Sequence, residues 1–175
     1  MWGLIKGIVN EIVDRSAFKS SVVFLGIESC GKTSLVEKLM CHVMPKRKHK
    51  TILPTMGLNT DTIEDGKIFL RIWDLGGRSM IRPVWDNYLS QADSLVYVVN
   101  GSQTEKIHET RKLFDDITCR FDLKIAVVFL NATESIFQVF PSALRFDNLF
   151  IDLEKPHDLE LLYSWMKANA KKTET

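Results

Sequence analysis

Residues Gly26-Ile27-Glu28-Ser29-Cys30-Gly31-Lys32-Thr33 follow the pattern G-x-x-x-x-G-K-[ST]. Each residue type has a physical job in holding phosphate. The glycines let successive backbone N–H groups turn toward phosphate oxygens at the positive end of a helix dipole. Lys32 supplies a point charge for the outer phosphates, and the Thr33 hydroxyl is a ligand for Mg²⁺. Candidate contacts are therefore Gly26, Glu28, Ser29, Cys30, Gly31, Lys32, Thr33 and the following Ser34. A second group is Trp73-Asp74-Leu75-Gly76-Gly77. Asp74 ends an apolar run, from where a carboxylate reaches a Mg²⁺ shell through water. Gly77, without a side chain, lets its N–H approach a terminal phosphate.

These groups need a strand before the glycine loop and a helix after it, and the flanking residues supply both. The continuous apolar run 21–25 reads as a strand buried on both faces, and Val36, Leu39, Met40 and Val43 follow at helical spacing. Segments 57–63 and 67–75 flank Glu64-Asp65-Gly66, a hairpin signal. Runs 94–99 and 125–130 read as further buried strands, 149–153 as a shorter one, and 158–170 as a closing helix. Such alternation predicts an α/β fold with a mainly parallel sheet covered on both faces.

The chain has 175 residues, enough for one compact domain. Lys and Arg total 23 against 22 Asp and Glu, without the basic excess that nucleic-acid binding requires. Cys30, Cys41 and Cys119 form no CxxC pair and read as reduced thiols, neither a disulfide framework nor a zinc site. Residues 1–17 place Leu4, Ile5, Ile8, Val9, Ile12 and Val13 at helical spacing. This amphipathic helix would either pack on the domain or lie in a membrane interface with Trp2 as anchor. Asn10, Glu11 and Asp14 interrupt it too often for a secretory signal, so the sequons at Asn100 and Asn131 are chance matches. The expected organisation is helix 1–17, domain 18–170 and a frayed tail 171–175. The basic run 46–50 reads as a solvated loop.

The phosphate loop, Pro54-Thr55-Met56-Gly57, Trp73-Asp74-Leu75-Gly76-Gly77 and Ile81-Arg82-Pro83-Val84-Trp85 resemble, in order and spacing, the Arf-family small GTPases over about residues 1–115. Trp2 and the run Met56-Gly57-Leu58-Asn59 resemble most its Arf-related protein branch, which lacks a myristoylated glycine. The resemblance implies a P-loop small-GTPase fold, six-stranded and helix-flanked, acting as a GTP/GDP switch with Mg²⁺. It also implies Thr55 as the switch threonine meeting Mg²⁺ beside Thr33 and Asp74. Segment 57–73 would be the sliding hairpin that ejects the N-terminal helix onto an endomembrane, the Golgi being one candidate. Leu58, Trp73 and Tyr88 would be the effector-facing patch, although Trp and Tyr are also common core residues. An exchange factor and an activating protein would be further partners.

The chain departs from that pattern at three places. Arg78 stands where the family has a water-orienting Gln, and Arg only donates hydrogen bonds. Very slow hydrolysis is expected, unless the guanidinium acts as an arginine finger in cis. The guanine motif reads Asn131-Ala132-Thr133-Glu134, keeping the asparagine, losing the lysine stem and lengthening the carboxylate. The third base loop, near Leu153-Glu154-Lys155, has no clear match, and the stretch between Glu134 and Leu153 is shorter than usual. Three readings follow: a slow Arf-like switch in membrane traffic, a pseudo-GTPase adaptor, or an enzyme of relaxed base specificity.

Overall fold

A computed structural model describes residues 18–51 and 55–172. The predicted helix over residues 1–17, and Pro54, lie outside the described residues. The elements run β1 (Phe18–Leu25), α1 (Lys32–Val43), β2 (Leu58–Asp65), β3 (Ile68–Leu75), α2 (Trp85–Leu89), β4 (Ser94–Asn100), α3 (Ile107–Arg120), β5 (Lys124–Leu130), β6 (Asp147–Ile151), α4 (Pro156–Ala168) and β7 (Lys171–Lys172). The sheet order is β2-β3-β1-β4-β5-β6, with β7 added on β1. Among the described residues, only β2 and β7 run antiparallel to their neighbours; the other ladders are parallel.

Alternate residues of the central strands feed two cores. Val22, Phe24, Val96 and Val128 face α1 and α4, where Leu35, Leu39, Leu162 and Met166 complete one cluster. Val23, Leu25, Tyr97 and Phe129 face α3 on the other side, with Phe114 and Ile117. Both faces of β4 and β5 are thus covered, as their unbroken apolar sequences require. In β1, Phe24 is in register with Asp74 of β3. The glycine loop and the carboxylate strand therefore leave the sheet side by side.

Two expectations are revised. Residues 171–172 are not a frayed tail: they pair with Phe18 and Lys19. β4 joins β1 only from Val22 onward, so the first residues of β1 have an open edge there. Lys171 also reaches Asp93 at 2.7 Å. The basic run 46–50 is not simply solvated. Arg47, 13% exposed, bonds Glu37 of α1 at 2.8 Å and Asp61 of β2 at 3.1 Å, and Lys50 joins Asp61 at 2.7 Å. Between Glu134 and β6 the chain forms two short 3-10 turns, Glu134–Gln138 and Pro141–Arg145. Phe137 and Phe140 from this stretch pack edge-on against Phe129, and Phe140 also against Phe114. These aromatic rings fill the space beside β5.

Candidate nucleotide site

The loop between β1 and α1 carries three positive φ angles: Gly26 at 150°, Ser29 at 61° and Gly31 at 98°. Ser29 is a non-glycine residue in the left-handed region, a strained conformation that tends to occur at ligand-binding turns. A side chain on Gly31 would come within 2.8 Å of Leu130 at the end of β5. The loop is thus wedged between its own helix and the neighbouring strand end. Lys32, opening α1, is only 5% exposed. Its ammonium donates to the carbonyls of Gly26 at 3.0 Å and Ile27 at 2.9 Å, closing the loop on itself. Its third neighbour is the Cys30 sulfur at 3.6 Å, a weak acceptor that a phosphate oxygen outcompetes. Burial pushes the Cys30 thiol above its usual range despite the nearby Lys32, so it sits protonated beneath the loop.

Oxygen atoms converge beside this loop. Thr33 Oγ1 donates to Asp74 Oδ2 at 2.7 Å and lies 2.9 Å from Thr55 Oγ1. Asn59 Nδ2 donates to Thr55 Oγ1 at 3.1 Å and to Asp74 Oδ2 at 3.3 Å. Asp74 is 1% exposed, and its other oxygen, Oδ1, is buried without a partner among the described residues. Two hydroxyls and a carboxylate with one unsatisfied oxygen are the hard donor set that Mg²⁺ takes. Thr33, Thr55 and Asp74 would hold that ion, which when bound supplies charge neutralisation for adjacent phosphates.

The segment after β3 closes the opposite wall. A Cβ on Gly77 would fall 2.4 Å from the Ile27 carbonyl carbon and 2.5 Å from the Glu28 nitrogen, so only glycine allows this approach. Two side chains brace the segment: Trp85 Nε1 donates to the Gly76 carbonyl at 3.0 Å, and Arg82 Nε to that of Gly77 at 3.2 Å. Arg78 turns back across the cavity and donates from Nε to Glu28 Oε1 at 2.7 Å. The resulting cavity, about 320 Å³, is lined by Glu28, Ser29, Gly31, Lys32, Thr33, Ser34, Thr55, Gly76, Gly77 and Arg78.

Of the residues expected to read a base, Asn131 lines a second cavity of about 430 Å³ with Gly101, Thr104, Ala132, Thr133, Ser135, Ile136 and Val139, whereas Glu134 is not part of its lining. Asn131 holds φ at 49°, and its amide contacts Asn100 at 3.4 Å. Glu134 is exposed and opens the first 3-10 turn. Gln103, which the sequence reading passed over, links the two halves by donating to the Glu28 carbonyl at 3.4 Å. A lone glutamine in a loop carries no sequence signal. Leu153, Glu154 and Lys155 lie in the turn between β6 and α4, where Glu154 pairs with Lys38 of α1 at 2.8 Å. Of the surface trio, Leu58 is 38% exposed, whereas Trp73 is 8% exposed and meets Tyr88 edge-on at 5.4 Å. Met56 and Met80, at 70% and 73%, are the more open apolar residues of this side.

A glycine loop between a buried strand and a helix, with a threonine–aspartate pair beside it, defines a P-loop nucleotide-binding protein. The architecture agrees: the chain superposes on the Arl6 BBS3 small GTPase from Trypanosoma brucei, solved with the bound nucleotide analogue GppNp. The TM-score is 0.68 at 17% identity, covering 86% of this chain and 96% of that one, so the fold is that of a small GTPase. Residues 7–139 match the sequence model of the ADP-ribosylation factor (Arf) family, and the chain belongs to that family. It is 32% identical over 126 residues to ADP-ribosylation factor 3 of Arabidopsis thaliana and to ADP-ribosylation factor 1 of Brassica rapa subsp. pekinensis. In both cases the match covers 72% of this chain and 65% of the relative.

Proposed function

We propose that this chain is an Arf-like molecular switch that binds GTP and GDP with Mg²⁺ and hydrolyses GTP slowly. The observation that carries the reading is the buried Asp74, with one unsatisfied oxygen, bonded to Thr33 at 2.7 Å and flanked by Thr55. Lys32 stands ready on the other side of the phosphate position. Arg78 stands where the family resemblance puts a water-orienting group, and it donates from Nε to Glu28 and from Nη1 to the Met56 sulfur. Slow turnover follows, because a guanidinium cannot accept a proton from water. The switch would recruit effector proteins through the face bearing Leu58, Trp73 and Tyr88, with exchange and activating proteins as regulators. Residues 1–17 would give peripheral attachment to an endomembrane, in keeping with a role in traffic at an organelle such as the Golgi.

The test is equilibrium binding of fluorescent GDP, GTP and ATP in Mg²⁺, with Lys32→Ala and Asp74→Ala beside the parent chain. Guanine nucleotides should bind, and both substitutions should abolish or strongly weaken binding. Equal, weak signals from all three chains would overturn the reading. A second reading, a pseudo-GTPase adaptor, is favoured by one observation: the Glu28–Arg78 pair spans the phosphate cavity. It predicts a partner interaction that Lys32→Ala leaves intact.

A further inference from the structure

Three side chains that the nucleotide site does not use meet at the far end of α1. Glu37 and Cys41 lie one helical turn apart on that helix, and His49 comes from the loop that follows it. The Cys41 sulfur is 3.1 Å from His49 Nδ1 and 3.5 Å from Glu37 Oε1. His49 Nδ1 and Glu37 Oε1 are 3.9 Å apart. We propose that Glu37, Cys41 and His49 form a binding site for a zinc-type divalent cation, distinct from the Mg²⁺ position.

The geometry suits such an ion. Zn²⁺ bonds to sulfur at about 2.3 Å, and to imidazole nitrogen or carboxylate oxygen at about 2.0–2.2 Å. At tetrahedral angles those lengths put the donor atoms about 3.4–3.6 Å from one another. The three measured separations bracket that value, each within about half an ångström, a movement that side-chain rotation supplies. The carboxylate is already oriented. Arg47 Nη1 holds Glu37 Oε2 at 2.8 Å, while Oε1 accepts the Lys50 N–H at 2.7 Å and keeps a lone pair toward the sulfur. Such outer partners fix metal-binding carboxylates in place. Two of the ligands are carried by a helix with a mostly buried inner face, so the pair is rigid before any ion arrives.

Donor chemistry separates this site from the other. A thiolate and an imidazole select zinc-type ions, whereas the all-oxygen set at Thr33, Thr55 and Asp74 selects magnesium. Charge also closes. Arg47 and Lys50 are matched by Glu37 and Asp61, and the Cys41 thiol releases its proton to solvent as the sulfur–metal bond forms, offsetting one charge of the ion. His49 is 76% exposed on its side chain, so water completes the fourth position. The ion would fasten residue 49 to α1, six residues before Thr55 and on the helix that begins at Lys32 and Thr33.

Cobalt(II) is the probe, added to the full chain after chelator treatment and desalting. The expected result is one Co²⁺ per chain with the charge-transfer absorption of a thiolate ligand, displaced by one equivalent of Zn²⁺. Cys41→Ser should remove the absorption. His49→Ala, at an exposed residue, should weaken binding by about ten-fold or more while leaving the metal-free melting curve unchanged. Cys119→Ser, at another exposed thiol, should bind as the parent does. Absence of the absorption in the parent chain overturns the proposal. So does its survival in Cys41→Ser, or equal affinity in parent and His49→Ala.

Discussion

Arg78→Gln separates the two roles open to the residue after Gly77. The substitution takes a guanidinium away from Glu28, 2.7 Å distant, and installs an amide that both donates and accepts. The partners' side chains are 38% and 43% exposed, so solvent screens the pair and it is worth at most about 1 kcal/mol. That is about five-fold in any equilibrium the pair biases. Stability and nucleotide affinity should therefore change by no more than about 1 kcal/mol and about five-fold. Hydrolysis is a different scale, because a group positioned to take part in proton transfer contributes about 10²–10⁴-fold. Single-turnover release of phosphate from preloaded GTP, started with Mg²⁺, should be at least about ten-fold faster in Arg78→Gln. Arg78→Ala, which can do neither job, should remain as slow as the parent. The reasoning is refuted if Arg78→Gln is no faster, or if Arg78→Ala is markedly slower. The guanidinium would then itself be stabilising the transition state.

Three further outcomes follow from contacts around the site. Gly77→Ala should destabilise the fold by about 1–3 kcal/mol in urea and impair nucleotide binding, because every atom its Cβ meets is backbone of the phosphate loop. Arg47→Ala should cost about 1–3 kcal/mol by the same measurement, since it leaves Glu37 Oε2, on a side chain only 8% exposed, without its guanidinium while Oε1 keeps the Lys50 N–H. His42, bonded at 2.9 Å, holds the Glu160 carboxyl below its usual range, so their contribution is present above the ordinary carboxylate range and fades as pH falls through it. His42→Ala should flatten that acid-side slope, with a stability change under about 1 kcal/mol because Glu160 is half exposed.

The phosphate half of the site was legible because its chemistry is local in sequence. Gly26 to Thr33 needs only a strand before it and a helix after it; an apolar run marked the first and helical spacing of apolar residues the second. Asp74 was readable for the same reason, at the end of an apolar run. The bracing of Gly76 and Gly77 by Trp85 and Arg82 was not, because each contact joins residues whose spacing carries no periodic signal. Arg47 shows the converse failure. A basic run looks solvated unless the acids that pair with it, Glu37 and Asp61, are known to lie alongside. The segment 134–146 escaped assignment because its phenylalanines serve α3 and β5 rather than a helix of their own. Trp73 was assigned to a surface by resemblance, and its burial follows from the face of β3 it occupies.

The central claim, a guanine-nucleotide switch held by slow hydrolysis, is tested most directly on protein purified without added nucleotide. After denaturation, the released small molecules are separated by chromatography and quantified against chain concentration. Near-stoichiometric guanine nucleotide, chiefly GTP, is the predicted result. A folded protein that releases none, and stays empty after incubation with Mg²⁺ and GTP, would contradict it.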